Sequence, residues 1–249
     1  MPPRKTRPAR PGTVQPASDA GRVSAPVEDY LKAIYDLAGR DATASTNDVA
    51  ERLGVSAASV TGMVRRLADQ GLLEYERYRG VRLSEEGRLV ALRTIRRHRL
   101  IETYLTEVLG YPWDRVHDEA ERLEHAASDE LVDRMAAALG HPTADPHGAP
   151  IPTSDGEVDE RRHRTLAELE VGTAARMVRV SDENPGLLRY LAEIDLTPGV
   201  PVQVLARAPF DGPLTLRVGD AEPVVGPALA AQVLVEEVDP SSAERNDRA

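Results

Sequence analysis

Histidine and glutamate recur at the spacing of metal ligands in two long segments that are predicted to be helical. His98 and Glu102 are one helical turn apart in the first segment. Four further side chains fall at positions i, i+4, i+7 and i+8 of the second segment, so they share one stripe of a helix: His117, Glu121, Glu124 and His125. Burying two carboxylates and two imidazoles on such a stripe is costly unless a cation lies between them. The pattern therefore predicts a divalent metal site.

Two other interpretations of this pattern stay open. The stripe could be a solvated patch of glutamate and histidine on an acidic protein, and spacing alone does not exclude that. Zinc hydrolases also use paired helical histidine and glutamate, but neither HExxH nor HxxEH occurs, because Glu121 stands where the latter motif has histidine. A Gly-rich phosphate-binding loop and a GxSxG elbow are absent as well. We predict no catalytic residues and a protein that is not an enzyme.

A helix, a glycine turn, a second helix and a two-stranded ribbon follow one another between residues 47 and 84, which is the order of a winged helix-turn-helix. The helices are predicted over residues 47–53 and 57–70, and the strands over 72–76 and 81–84. Small and hydroxyl-bearing side chains face outward at the start of the second helix, where they allow close approach to a major groove: Ser56, Ala58, Ser59 and Thr61. Three arginines would contact the DNA backbone: Arg65 on this helix, and Arg77 and Arg79 at the tip of the ribbon. The alternative is an ordinary helix-loop-helix with a solvated face.

The net charge of −10 is unevenly distributed over the 249 residues. Residues 1–100 contain 18 Lys and Arg against 12 Asp and Glu, so a basic N-terminal part precedes an acidic remainder and can still dock on phosphates. The absence of cysteine excludes disulfides, thiolate metal sites and iron–sulfur clusters. No apolar run approaches the roughly 20 residues of a membrane span, and the basic first residues lack the apolar stretch of a secretory signal. We expect a cytoplasmic protein without a membrane partner.

Composition and periodicity divide the chain into six parts. Residues 1–23 are a basic arm predicted to be disordered, residues 24–92 hold the winged helix, and residues 93–145 hold most of two long helices predicted over 85–109 and 114–139. Residues 146–164 are a linker rich in Pro, Gly and Asp, and the histidines in or beside it are predicted to be solvated: His141, His147 and His163. Residues 165–238 contain short strands (174–180, 202–208, 214–218 and 232–238) and one helix (187–194), which predicts a small β-barrel, and residues 239–249 are a polar tail. The predicted fold class is α+β, with several domains.

Four sequence runs carry a resemblance to a known family: VEDYLKAIYDL (residues 27–37), RRHRLIETYL (96–105), VHDEAERLEHAASDE (116–130) and DPHGAPIP (145–152). Together with the winged helix-turn-helix they resemble the DtxR/MntR family of metal-dependent bacterial repressors over roughly residues 24–152. Residues 165–238 are similar to the SH3-like (FeoA-like) domain of its longer members. The resemblance implies a homodimer that binds palindromic, double-stranded operator DNA through its winged helices, dimerises through the helical domain and holds two metal ions per subunit. It implies no organic cofactor.

The resemblance also implies the residues of two metal sites. The primary site would consist of Asp29, Glu121, Glu124 and His125, and the ancillary site of His98, Glu102 and His117, with Asp182 and Glu183 as the nearest oxygen donors of the β-barrel. Iron-responsive members place Met and Cys where this chain has Asp29 and Glu121, and a ligand set of oxygen and nitrogen alone suits Mn²⁺. We therefore expect a manganese-responsive repressor of metal-uptake genes. An ion shared by Asp29 and the helical domain would fix the angle between that domain and the winged helix. Two alternatives stay open: a repressor that responds to Fe²⁺ or another divalent transition metal, and a metal-buffering protein whose winged helix does not bind DNA.

Overall fold

The computed structural model describes residues 23–38, 43–76, 80–159 and 161–238. The predicted polar tail lies outside the described residues, as does the predicted N-terminal arm except for Val23. Arg77 and Arg79, the two predicted DNA contacts at the tip of the ribbon, also lie outside the described residues.

The N-terminal part folds as the predicted helix-turn-helix with a ribbon. Helices α1 (Ala25–Ala38), α2 (Thr46–Leu53) and α3 (Ala57–Asp69) are followed by the antiparallel strands β1 (Leu73–Glu76) and β2 (Gly80–Leu83). Ser45 and Ser56 cap α2 and α3, because each hydroxyl accepts a backbone N–H three residues ahead at 3.1 Å. Gly54 makes the tight turn between these two helices with φ of 63°. Apolar side chains from all three helices and the ribbon form one core: Leu31, Ile34, Val49, Val60, Val64, Leu67 and Val81.

The second part contains three helices where two were predicted. Helix α4 (Glu85–Glu107) is found as expected, but α5 (Val116–Leu123) and α6 (Asp129–Ala138) replace the single helix predicted over 114–139. The prediction was wrong because Ser128 starts a new helix: its hydroxyl accepts the N–H of Leu131 at 3.2 Å, which is an N-cap. Glu124 is the C-terminal cap of α5, so Glu124 and His125 do not continue the stripe of His117 along one straight helix.

The predicted linker is partly buried. Asp145 accepts the backbone N–H groups of His147 and Ala149 at 2.8 and 2.9 Å, which fixes a tight turn. His147 is 1% exposed, so the prediction that it is solvated was wrong, whereas His141 is exposed and His163 is half-buried. Gly148 has a φ of 84°, and a Cβ there would meet the carbonyl oxygen of Val178 at 1.8 Å. Proline and glycine therefore marked a turn correctly, but this turn packs against the C-terminal domain instead of facing solvent.

The C-terminal part is an antiparallel sheet with two short helices. Its strands are β3 (Arg164–Thr165), β4 (Ala174–Val180), β5 (Pro201–Arg207), β6 (Leu214–Arg217), β7 (Val224–Val225) and β8 (Val233–Glu237), and its helices are α7 (Pro185–Glu193) and α8 (Pro227–Ala230). The strand order is β3-β8-β4-β5-β6-β7. Met177, Leu188, Val204, Leu216 and Val235 lie in its core. The small β-sheet domain predicted from short strands and turns is confirmed, and none of the helices described is both long and apolar enough to cross a bilayer.

Candidate metal centre and DNA-binding surface

Ligand-type side chains from all three parts of the chain meet between α1, α4 and the end of α5. Asp29, Glu124 and His125 form a first group, which we call the Asp29 cluster, and their ligand atoms lie within 4.8 Å of one another. Asp29 Oδ1 is 2.8 Å from His125 Nε2, and Glu124 Oε1 is 3.5 Å from the same nitrogen. Burial, reinforced by the charges of Glu124 and Glu121, raises the pKa of Asp29 above its usual value even though His125 lowers it. The group therefore has an excess of negative charge that a cation would relieve.

Glu28 supports this cluster, although the sequence did not single it out. Its Oε2 is 2.7 Å from His125 Nδ1, and its other oxygen accepts a hydrogen bond from Arg97. Both Glu28 and Arg97 are almost fully buried. A carboxylate that accepts Nδ1–H of a histidine fixes the ring and leaves Nε2 available as a ligand. The available signal was the position of Glu28, one turn before the buried Leu31, on the apolar face of α1.

Glu121 was expected among the primary ligands, but it turns to a lysine instead. Lys32 Nζ donates a 2.5 Å hydrogen bond to Glu121 Oε1 and lies 3.0 Å from Glu124 Oε2 and 3.2 Å from His98 Nδ1. We call His98, Glu121 and Glu124, whose ligand atoms also lie within 4.8 Å of one another, the Lys32 cluster. Burial alone would lower the pKa of Lys32, but the charges of Glu124 and Glu121 outweigh it and raise the pKa above its usual value.

A second group of ligands surrounds Glu102. The Glu102 cluster begins with His98, His117 and Asp182, whose ligand atoms lie within 4.8 Å of one another and of Glu102. His98 Nε2 is 3.0 Å from Glu102 Oε1, and His117 Nδ1 is 3.0 Å from Asp182 Oδ2. Contacts with Asp182 and Glu102 raise the pKa of His117 to about 10, although burial opposes this. Burial would likewise lower the pKa of His98, but the charge of Glu102 prevails and raises it to about 9.

His147 of the predicted linker and Asp145, the residue just before that linker, extend the Glu102 cluster. Ligand atoms of Glu102, Asp145 and His147 lie within 4.8 Å of one another, and all three side chains are buried. His147 Nε2 donates to the carbonyl oxygen of Trp113 at 2.8 Å, and its other ring nitrogen, Nδ1, lies 4.0 Å from Asp145 Oδ1. Burial and the charge of Glu102 raise the pKa of Asp145 to about 6, although Arg99 lowers it. The sequence DPHG (residues 145–148) contains both side chains, Asp145 and His147, but its proline and glycine favoured the prediction of a linker.

The Glu102 cluster fits a divalent cation on the structure's own evidence. Glu102 Oε2 and His147 Nδ1 are buried and make no hydrogen bond of regular geometry with the described residues, whereas Glu102 Oε1 and His98 Nε2 lie 3.0 Å apart as an ion contact. Buried polar atoms without partners are costly, and a cation bound to several of them removes that cost. Carboxylates and imidazoles are also the donors that divalent transition metals accept.

The two oxygen donors expected from the C-terminal domain behave differently. Asp182 belongs to the Glu102 cluster, as described above. Glu183 lies outside that cluster and accepts a hydrogen bond from Arg52 of α2. Arg52 also lies 3.6 Å from Asp36 of α1. The loop after β4 therefore contacts both the ligand cluster and the helix-turn-helix.

The predicted DNA-facing residues lie at the start of α3. Ser56, Ala58, Ser59 and Arg65 are exposed. Thr61 is half-buried, and its hydroxyl donates to the carbonyl oxygen of Ala57 at 2.9 Å, so it is less available than expected. Ser56 Oγ is similarly engaged as the cap of α3 and lies 2.9 Å from Ser59 Oγ. The surface is thus short, polar and open, with a basic side chain two turns along the helix.

Three family models match consecutive parts of the chain. The first is described as the N-terminal DNA binding domain of the iron dependent repressor and matches residues 22–81. The second, the metal binding and dimerisation domain of the iron dependent repressor, matches residues 84–153. The third, the FeoA domain, matches residues 164–237.

Individual proteins are similar over varying lengths. The iron-dependent repressor IdeR of Mycobacterium tuberculosis is 42% identical over 125 residues, so half of this chain spans about half of that relative, 54% of its length. The diphtheria toxin repressor of Corynebacterium diphtheriae is 31% identical over 221 residues, which cover 85% of this chain and 96% of that protein. A solved structure described as a manganese-dependent transcriptional repressor in complex with manganese is 41% identical, with a TM-score of 0.79 over 85% of this chain and 100% of the other.

Proposed function

Because the chain belongs to the iron-dependent repressor (DtxR) family, we propose that it is a metal-dependent transcriptional regulator. It binds a palindromic operator as a homodimer when it is loaded with metal, and it represses genes for metal uptake. Its ligand is manganese, and its partner is double-stranded DNA.

The observation that carries this proposal is the composition of the Asp29 cluster. Asp29 belongs to α1 of the helix-turn-helix part, whereas Glu124 and His125 follow α5 of the helical part. A divalent ion supplies two positive charges at this junction. Ligation by Asp29 together with Glu124 would fix α1 against the helical part, and in a symmetric dimer this sets the distance between the two α3 helices. Metal binding and DNA binding are then reciprocally coupled.

The chemistry of the donors favours manganese over iron. The Asp29 and Glu102 clusters consist of carboxylates and imidazoles, and the chain contains no cysteine. Hard oxygen donors suit Mn²⁺, whereas sulfur donors favour softer ions. The Glu102 cluster holds the second ion, with Asp145, His147 and Asp182 as oxygen and nitrogen donors beside it.

Exposed apolar side chains of the helical part support a homodimer. Val108, Leu109, Tyr111, Leu123 and Leu131 are all at least 40% exposed and lie within residues 84–153. Exposed large apolar side chains are typical of interfaces when they lie together, and the family model that matches this part is described as a metal binding and dimerisation domain. A second copy of this part would cover them.

Fluorescence anisotropy with the DNA upstream of the protein's own gene tests the proposal. Binding is compared with a scrambled duplex at one fixed salt concentration, with chelator, Mn²⁺, anaerobic Fe²⁺ or Zn²⁺. Asp29→Asn should lose the stimulation by metal but keep the weak affinity measured with chelator. The matched control Asp118→Asn changes an exposed residue of α5 and should behave as the unchanged protein.

Each outcome of this titration separates the candidate functions. Tight binding with Mn²⁺ at concentrations where Fe²⁺ does little supports a manganese-responsive regulator. An equal or stronger response to Fe²⁺ makes it an iron-responsive one, as the name of the similar iron-dependent repressor IdeR suggests. Metal binding without any DNA affinity on a genome-wide set of fragments would instead indicate a metal-buffering protein.

A further inference from the structure

Gly62 lies in the middle of α3, where folding of the chain does not require a glycine. It is exposed, and its φ is not in the left-handed region. A Cβ at this position would meet no atom of the described residues within 4 Å, apart from the adjacent backbone of the helix itself. Apart from proline, glycine is the residue that least favours a helix interior. Folding alone would therefore favour almost any other residue at this position.

Two other helical glycines are explained by contacts within the protein. A Cβ on Gly87 of α4 would lie 2.0 Å from the carbonyl oxygen of Leu72, so the packing of α4 against the start of the ribbon requires a glycine. Gly186 lies in the first turn of α7, and a Cβ there would lie 3.2 Å from Oδ1 of Asn184, the side chain that caps this helix. Gly62 has no such neighbour among the described residues, which directs attention to a partner outside the subunit.

The position of Gly62 on α3 indicates which partner approaches it. Residues three positions apart share one face of a helix, so Gly62 lies between the exposed Ser59 and Arg65, whereas the buried Val60 and Val64 lie on the opposite side. The family model that matches this part of the chain is described as a DNA binding domain. A helix with its side chains is about 10–12 Å wide and nearly fills a major groove of about 12 Å. A helix without a side chain at its centre can therefore lie closer to the bases.

We propose that the backbone of α3 at Gly62 lies directly against base edges in the major groove, so that Gly62 is a specificity-determining residue. The contact is one of fit, because an added side chain would move the helix outward from the groove. Contacts that Ser59 and Arg65 make one turn to either side would then lengthen as well. This inference rests on the proposed DNA binding, and it adds the residue that sets how closely α3 and the operator meet.

Gly62→Ala tests the proposal because stability and specific DNA binding should change in opposite directions. The methyl group favours the helix, so the Tm of chelator-treated protein should rise by about 2–4 °C. Affinity for an operator that the unaltered protein selects from random duplexes with Mn²⁺ should fall about tenfold or more, as for a lost base contact. Affinity for a scrambled duplex should stay unchanged, because phosphate contacts supply non-specific binding. Gly226→Ala, at a position with φ of −71° and no described atom within 4 Å of a Cβ, is the matched control and should leave both affinities unchanged.

A second measurement locates Gly62 relative to DNA and decides the matter where Gly62→Ala does not fold. The chain contains no cysteine, so Gly62→Cys and Gly226→Cys each provide a single thiol for a photoactivated crosslinker. At protein concentrations that saturate the operator, irradiation should join DNA to the first variant and not to the second. The proposal would be overturned by unchanged operator affinity of folded Gly62→Ala, by an equal loss on both duplexes, or by the lack of a crosslink from Gly62→Cys. Failure of the unaltered protein to select any duplex would instead refute the proposed DNA binding itself.

Discussion

Replacement of Glu28 by glutamine tests whether this buried carboxylate prepares His125 for metal. Glu28 Oε2 lies 2.7 Å from His125 Nδ1, and its other oxygen accepts a hydrogen bond from Arg97. A glutamine of nearly the same shape offers one carbonyl oxygen and one NH₂ group. If its oxygen accepts the hydrogen bond from His125, its NH₂ group faces the N–H donors of Arg97. If its oxygen accepts from Arg97 instead, the NH₂ group faces Nδ1–H of His125.

The size of the effect follows from these contacts. Loss of a carboxylate that orients a ligating histidine weakens metal binding by about 10–100-fold, which is about 1.4–2.7 kcal/mol. The Glu28 side chain is 3% exposed, so solvent does not screen the loss. Folding stability should fall less than the full cost of breaking a buried ion pair, about 3–5 kcal/mol. Arg97 keeps Thr94 Oγ1 at 3.2 Å and Asp129 Oδ1 at 3.6 Å as partners.

Competition of the protein with a fluorescent Mn²⁺ indicator measures the affinity, and urea unfolding of chelator-treated protein measures the stability. Glu28→Gln should weaken Mn²⁺ binding at the Asp29 cluster at least about tenfold, and saturating Mn²⁺ should restore DNA binding because the ligands themselves are intact. Glu51→Gln, an exposed change on α2, is the matched control. If folded Glu28→Gln bound Mn²⁺ as tightly as the control, Glu28 would not orient His125.

Three further changes test other parts of the structure. His147→Gln should weaken the ion of the Glu102 cluster by about tenfold or more, and an unchanged calorimetric titration would remove His147 from the ligands. Leu131→Glu places a charge on the exposed apolar surface of α6 and should convert the dimer into a monomer in light scattering, whereas a persistent dimer would place the interface elsewhere. In metal-free protein the pKa of His117 is about 10, above the ordinary value of 6.5, because Asp182 and Glu102 hold the imidazolium form. The native state therefore binds this proton more tightly than the unfolded state, so stability from His117 is complete below about pH 6.5 and is lost as pH rises toward 10. Urea unfolding of chelator-treated protein should show this decline, and His117→Gln should flatten it; an equal slope in both proteins would contradict the pairing.

Local sequence rules predicted the elements well because they depend on neighbours in the chain. Serine and glycine residues at the expected positions predicted the ends of α2 and α3, and short apolar runs between turn residues predicted the C-terminal sheet. The break before α6 was missed although its signal is local: Ser128 followed by two acidic residues is an N-cap signature that helical periodicity obscured.

Long-range pairing explains what the sequence did not reveal about the site. The partner of Glu28 is His125, 97 positions away, and the partner of Lys32 is Glu121, 89 positions away. Only packing of α1 against the helical part creates these pairs, so spacing along one helix carried no information on them. The same applies to His147, which is buried because its turn lies against β4 and not because of its own sequence.

The two ligand clusters differ in what already holds their parts together. Near the Glu102 cluster, backbone contacts hold the C-terminal domain against the turn at residues 145–149. Val180 N–H donates to the carbonyl oxygen of His147 at 3.0 Å, and Gly148 lies against Val178. The bridge from Glu183 to Arg52 adds little to this, because exposed ion pairs contribute about 0–1 kcal/mol. At the Asp29 cluster, by contrast, Asp29 contacts residues 124–125 through side chains that are themselves the proposed ligands. An ion at the Glu102 cluster would therefore strengthen a contact that exists without metal, whereas an ion at the Asp29 cluster would add to the pairs that hold α1 on the helical part, such as Glu28 with Arg97. For that reason the position of the DNA-binding part should depend chiefly on the Asp29 cluster.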